Sequence, residues 1–243
     1  MQRPKISEEF RSSTASAVIM MSGLPASGKT TTATRLHAEI GGLLIRSCDV
    51  YEELGIVLSQ WVELTQRFTV DVAAYSRVRD EAYDVIAQRV DAGLEAGFPL
   101  VIVDAVNGER DKRRRLYDIC QRRRVSPSIV LCRCDDFEEI RRRFRMRQGR
   151  EREPQHEASD LSVFHDIARR WQSPMNDVLP DGTRPTILTY DTLAGRVVVD
   201  HVGAPEVAER IRLVLGPASG SCVREGAREQ GSGAVPADLN ADA

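Results

Sequence analysis

The stretch Ala17-Val18-Ile19-Met20-Met21-Ser22-Gly23-Leu24-Pro25-Ala26-Ser27-Gly28-Lys29-Thr30-Thr31 decides the fold. Its first five residues are a short apolar run, which reads as a buried strand. Gly23 to Thr30 then satisfies the phosphate-loop pattern of Gly, four residues, Gly, Lys and a hydroxyl residue. From Thr30 onward the pattern is helical. Gly23 and Gly28 allow backbone angles and close approach that a Cβ would forbid, so successive N–H groups can turn inward around a phosphate. The helix start adds its partial positive charge. In such a loop Lys29 reaches the outer phosphates, Thr30 ligates Mg²⁺ and Thr31 touches an inner phosphate. The nucleotide-binding set is therefore Gly23, Leu24, Pro25, Ala26, Ser27, Gly28, Lys29, Thr30 and Thr31.

Outward from the loop, strands and helices alternate. A helix from Gly28 to Ile40 stops at Gly41-Gly42, and Leu43-Leu44-Ile45 follows as a second strand ending near Asp49. Val78, Ala82, Val85, Ile86, Val90 and Leu94 fall at helical spacing within 76–96. Pro99 to Val103 reads as a third strand ending at Asp104. Helices over 109–124, 137–147, 159–171 and 205–215, with strands over 128–132 and 186–191, complete the pattern; residues 196–201 add an edge strand or hairpin. Five strands in this order predict an α/β phosphate-loop NTPase fold, with a mostly parallel sheet covered by helices on both faces. Ligands of such sheets lie beyond the carboxyl ends of the strands, where the loop, Asp49 and Asp104 are all expected.

The chain has 243 residues, a hydrophobic fraction of 42% and a net charge of -2, which suits one domain with additions and gives no global field for nucleic acid. Lys5, Lys29 and Lys112 are its only lysines, so runs of arginine say little about function. Five cysteines without paired spacing indicate neither a disulfide framework nor zinc. With no apolar leader and no membrane-length run, the expectation is a soluble cytoplasmic protein with no membrane partner. The expected organisation is a loose 1–15, one phosphate-loop domain over 16–215 and a disordered 216–243.

Several nucleotide chemistries lack their motifs. No Asn-Lys-x-Asp base-reading element exists, and Asp104 is followed by Ala105 rather than by the Glu of hydrolytic motor ATPases. What remains is phosphoryl transfer to a bound acceptor. Here the chain resembles the small phosphate-loop kinases: polynucleotide 5′-hydroxyl kinases, zeta-toxin-like kinases, gluconate kinase, chloramphenicol phosphotransferase and uncharacterised kinases carrying an AAA domain. The resemblance spans about residues 16 to 175. It implies ATP and Mg²⁺ as cofactors, Thr30 and Asp104 as metal ligands, and Asp49 as the group that accepts the acceptor's proton. It also implies a helical lid over 137–160 whose Arg143 and Arg147, four apart on one helix face, close over the phosphates. The acceptor would be capped by residues 50–75.

Plainer readings stand beside these. Asp49 also suits a helix cap, Asn107 a turn, and Arg113-Arg114-Arg115 and Arg122-Arg123-Arg124 a solvated helix face. Glu52 and Glu53 follow Asp49 where polynucleotide kinases carry a basic residue. The favoured acceptor is therefore a small hydroxylated molecule rather than a nucleic-acid end, a preference that Arg67, Arg77 or Arg79 would reverse by pointing into the cleft. Polynucleotide kinase, nucleotide-sugar kinase and non-catalytic ATP-binding switch remain the alternatives.

Overall fold

A computed structural model describes residues 16–56, 72–148 and 161–216. The expected loose N-terminus, most of the 50–75 insert, the far half of the lid and the C-terminal tail lie outside these residues. The six strands are β1 (Ala17–Ser22), β2 (Leu43–Arg46), β3 (Leu100–Asp104), β4 (Ser126–Arg133), β5 (Thr186–Asp191) and β6 (Arg196–His201). The helices are α1 (Lys29–Ile40), α2 (Ser47–Glu53), α3 (Val72–Glu95), α4 (Arg110–Arg123), α5 (Phe137–Gln148), α6 (Leu161–Arg169) and α7 (Pro205–Leu215).

The strands form one sheet in the order β2-β3-β1-β4-β5-β6. Every pairing is parallel except β5 with β6, which makes the expected edge strand a sixth member of the sheet. β1 lies between β3 and β4, with Met20 level with Val103 and Ile129. Because successive side chains leave opposite faces, a central strand covered on both sides must be apolar throughout. Val18 and Met20 accordingly join a core with α3 and α4, whereas Ala17, Ile19 and Met21 join another with α1 and α7. A third, smaller cluster joins Ala26 of the glycine loop to Ile140 and Phe144 of α5 and Phe164 of α6. The Phe144 and Phe164 rings meet edge to face at 6.2 Å.

Two readings of the sequence change. β2 ends at Arg46, and Asp49 sits in the first turn of α2 rather than at a strand end. The chain turns helical at Ser47 because Val50 and Tyr51 are buried on the inner side of that short helix. The arginines of α4 also divide. Arg115 and Arg123 pair with Asp80, Asp84, Asp91 and Glu95 on α3, as a solvated face would. Arg113 is wholly buried.

Candidate active site

The loop between β1 and α1 is held from three sides. The Gly23 amide donates to the Val106 carbonyl at 3.2 Å, and the Ser27 amide closes the turn on the Leu24 carbonyl at 3.1 Å. At Gly23, with φ of 149°, a Cβ would come within 2.5 Å of the Cys132 carbonyl oxygen on β4, so only glycine fits. Gly28 is left-handed at φ 96° and caps α1. Ala26 is also left-handed, at φ 62°, a conformation that costs a non-glycine residue energy and that clusters at functional sites.

This loop fits a phosphate. Ser27 Oγ is buried with no hydrogen-bond partner among the described residues, a donor that a phosphate oxygen would satisfy. Lys29, buried to 9% exposure, folds its ammonium back over the loop and donates to the Leu24 carbonyl at 2.8 Å. The α1 N-terminus behind it has no acidic residue in its first turn and no side-chain cap. An anion there would meet the positive end of the helix.

Asp104 ends β3 level with Arg46 of β2 and is buried to 4% exposure. Burial raises its carboxyl above the ordinary aspartate value, while the Lys29 charge and a hydrogen bond from the Thr30 side chain pull the other way. Asp49 is near enough to add to the rise. Thr30 and Asp104 thus place a hydroxyl and a carboxylate together beside Lys29, a hard-oxygen set that suits Mg²⁺ bound through one carboxylate and substrate phosphates. Asp49 itself is exposed.

Arg143 of α5 reaches the loop. Its Nη1 donates to the Ala26 carbonyl at 3.0 Å and to Thr192 Oγ1 at 3.1 Å, and its Nε to Glu139 Oε1 at 2.8 Å. Thr192, just beyond β5, lies 2.8 Å from the Ser27 carbonyl and 3.0 Å from that of Arg133. Arg143 therefore grips the wall of the loop rather than standing free above it. The Arg147 side chain lies outside the described residues. Beside this contact opens a cleft of about 430 Å³ lined by Gly28, Thr31, Arg35, Arg142, Met146 and Tyr190. It continues from the loop toward β5, where a nucleoside attached to bound phosphates would lie.

Sequence reading missed Thr192, which carries no motif and meets the loop from far along the chain. It left Arg79 open, and Arg79 lines a second, small cavity with Tyr51, Tyr75 and Tyr83. Glu53, one of the two acids thought to repel an anionic acceptor, turns aside to pair with Arg89.

Residues 18–174 match a family model described as AAA domain. The chain belongs to this AAA domain family. No curated protein matches the chain. Among solved structures, Chaetomium thermophilum Kti12 in complex with ADP-AlF3 superposes with a TM-score of 0.50 at 17% identity, covering 84% of this chain and 100% of that one. A sugar kinase from Janibacter sp. HTCC2649 gives 0.48 at 18% identity over 83% and 94% of the two chains. A gluconokinase from Sinorhizobium meliloti 1021 gives 0.45 at 15% over 83% and 90%. At 17% identity the likeness to Kti12 shows the fold alone, a phosphate-loop α/β domain. No helix among the described residues is long and apolar enough to cross a membrane.

Proposed function

We propose that this AAA domain is an ATP- and Mg²⁺-dependent kinase that transfers the γ-phosphoryl group to a hydroxyl of a small molecule. The observation that carries the reading is the convergence of the Lys29 ammonium and the buried Asp104 carboxyl on a glycine loop whose buried Ser27 hydroxyl has no partner among the described residues. Loop amides and Lys29 hold the β- and γ-phosphates; Thr30 and Asp104 hold the metal. Bound Mg²⁺ supplies charge neutralisation across the phosphate oxygens. Asp49, exposed beside the pair, orients the acceptor hydroxyl and takes its proton as the new phosphate ester forms. Arg143 fixes the loop through the Ala26 carbonyl and couples it to α5, so that closure of the helix over the cleft would tighten the phosphate cradle and exclude water.

Labelled ATP offered with nucleosides, sugars, sugar acids, aminoglycosides and 5′-hydroxyl oligonucleotides tests the reading. Acceptor-dependent transfer of label is expected. Tight nucleotide binding with hydrolysis that no acceptor changes would instead identify a switch protein, and label on oligonucleotides alone a polynucleotide kinase.

A further inference from the structure

A small cavity of about 20 Å³, room for one water, lies among Tyr51, Tyr75, Arg79, Tyr83 and Glu109, and an unusual arrangement of charge stands at its edge. Arg79 and Arg170 both donate to one oxygen of Glu109, Arg170 at 2.9 Å. Arg170 also pairs with Asp166, which accepts the Tyr75 hydroxyl at 3.1 Å. The two guanidinium carbons stand 5.5 and 5.6 Å from the centre of the Tyr75 ring, so that each cation is braced before it meets the carboxylate. Arg79 is buried to 8% exposure. Burial alone would lower its basicity, and Glu109 reverses that through charge and a hydrogen bond, leaving it above the ordinary arginine value.

A buried guanidinium requires an anion, which Glu109 supplies here and another carboxylate could supply in its place. The Glu109 side chain is 28% exposed, and its residue stands at the N-cap of α4 without capping it through the side chain. Turned outward it would meet water and the positive end of α4, both of which tolerate a carboxylate. Its departure would leave two guanidiniums aimed at the point its oxygen now fills, at the edge of a cavity walled by tyrosines. Tyr51, on that wall, follows Asp49 by two residues on α2.

We propose that Arg79 and Arg170 form a carboxylate subsite for the acceptor, so that the substrate class is a hydroxylated carboxylic acid, with Glu109 supplying in cis the carboxylate that the acceptor supplies in trans. Assigning this site to the acceptor rests on the kinase reading above; the site as a carboxylate receptor does not. Bidentate geometry favours arginine for this task, and Glu109 in the structure already shows that a carboxylate fits.

The test is calorimetry on the full chain with magnesium ADP present to fill the phosphate loop, using two matched pairs: glucuronate against glucose and glycerate against glycerol. Each acid is expected to bind at least about tenfold more tightly than its neutral partner. Glu109→Gln removes the internal competitor and should tighten acid binding by about tenfold or more, with the neutral partners unmoved. Arg170→Gln, at a half-buried position that spares the fold better than Arg79, should abolish the preference for acids while the melting curve stays cooperative. Equal binding of acid and neutral partner, no gain in Glu109→Gln, or no binding of any probe by either chain overturns the proposal. Acid binding without phosphoryl transfer leaves this site standing and removes the kinase reading. Transfer to a neutral acceptor without any acid preference does the reverse.

Discussion

Arg113 and Asp177 form a two-pronged ion pair inside the protein, Nε to Oδ2 at 2.6 Å and Nη2 to Oδ1 at 2.9 Å, with neither side chain more than 1% exposed. Tyr117 donates to the same carboxylate at 2.7 Å, and Arg113 Nη1 holds the Asn107 carbonyl at 2.9 Å. Asn107, left-handed at φ 45°, in turn donates its side-chain amide to the Met21 carbonyl on β1 at 2.7 Å. The pair therefore fixes the segment after Asp104 against the strand that feeds the glycine loop. Asp177→Ala should cost about 3–5 kcal/mol in urea denaturation, since it strands a buried guanidinium. Replacing both partners by apolar residues of similar volume should recover most of that loss. An Asp177→Ala chain as stable as the parent would contradict the burial described.

Lys29→Ala removes the only ammonium in the loop and leaves its Leu24 contact empty, while the strand and helix around it stay packed. Calorimetry with magnesium ATP should show at least a hundredfold weaker binding, about 2.7 kcal/mol, with an unchanged circular dichroism spectrum. Retained affinity would remove the loop from the mechanism.

Asp49 and Asp104 should separate kinetically, because one is exposed and the other buried beside Lys29 and Thr30. Asp49→Asn should lower kcat by about a hundredfold or more and spare nucleotide affinity. Asp104→Asn should raise the magnesium concentration needed for half-maximal activity as well as lower kcat. Equal effects of the two changes on both parameters would mean that the residues act as one group.

The fold was legible because its signals are local. Apolar runs at 17–21, 100–103 and 128–132 and the glycine spacing of the loop each need only their own neighbours to be read. What escaped reading is what the fold brings together from a distance. Arg113 looks like its neighbours Arg114 and Arg115, yet a helix turns about 100° per residue and only one of three consecutive side chains faces inward. Its burial depends on Asp177, in a loop with no pattern of its own. Glu109 reads as the start of a helix, and nothing in its surroundings announces that Arg79 and Arg170 will converge on it. Asp49 was placed at a strand end because an apolar run ending in Ser-Cys-Asp gives no sign that Ser47 already begins a helix.

Arg143 tests the coupling between α5 and the glycine loop. Its fork spans the Glu139 carboxylate, the Ala26 carbonyl and the Thr192 hydroxyl, three acceptors that a lysine ammonium cannot reach together. Arg143→Lys should therefore behave almost like Arg143→Ala, raising KM for ATP by about tenfold with a smaller change in kcat. The carboxylate reports the same contact. Hydrogen bonds from Arg142 and then Arg143 pull the Glu139 carboxyl down to about 2 from an ordinary 4.5. A folded-state value below the unfolded one means that the contribution to stability is complete above pH 4.5 and lost as pH falls toward 2. Carboxyl carbon NMR should find Glu139 titrating well below the other glutamates, and in Arg143→Ala its midpoint should move back up while Arg142 still holds part of the shift. A midpoint that ignores the loss of Arg143 would mean that α5 and the glycine loop are not joined through this side chain.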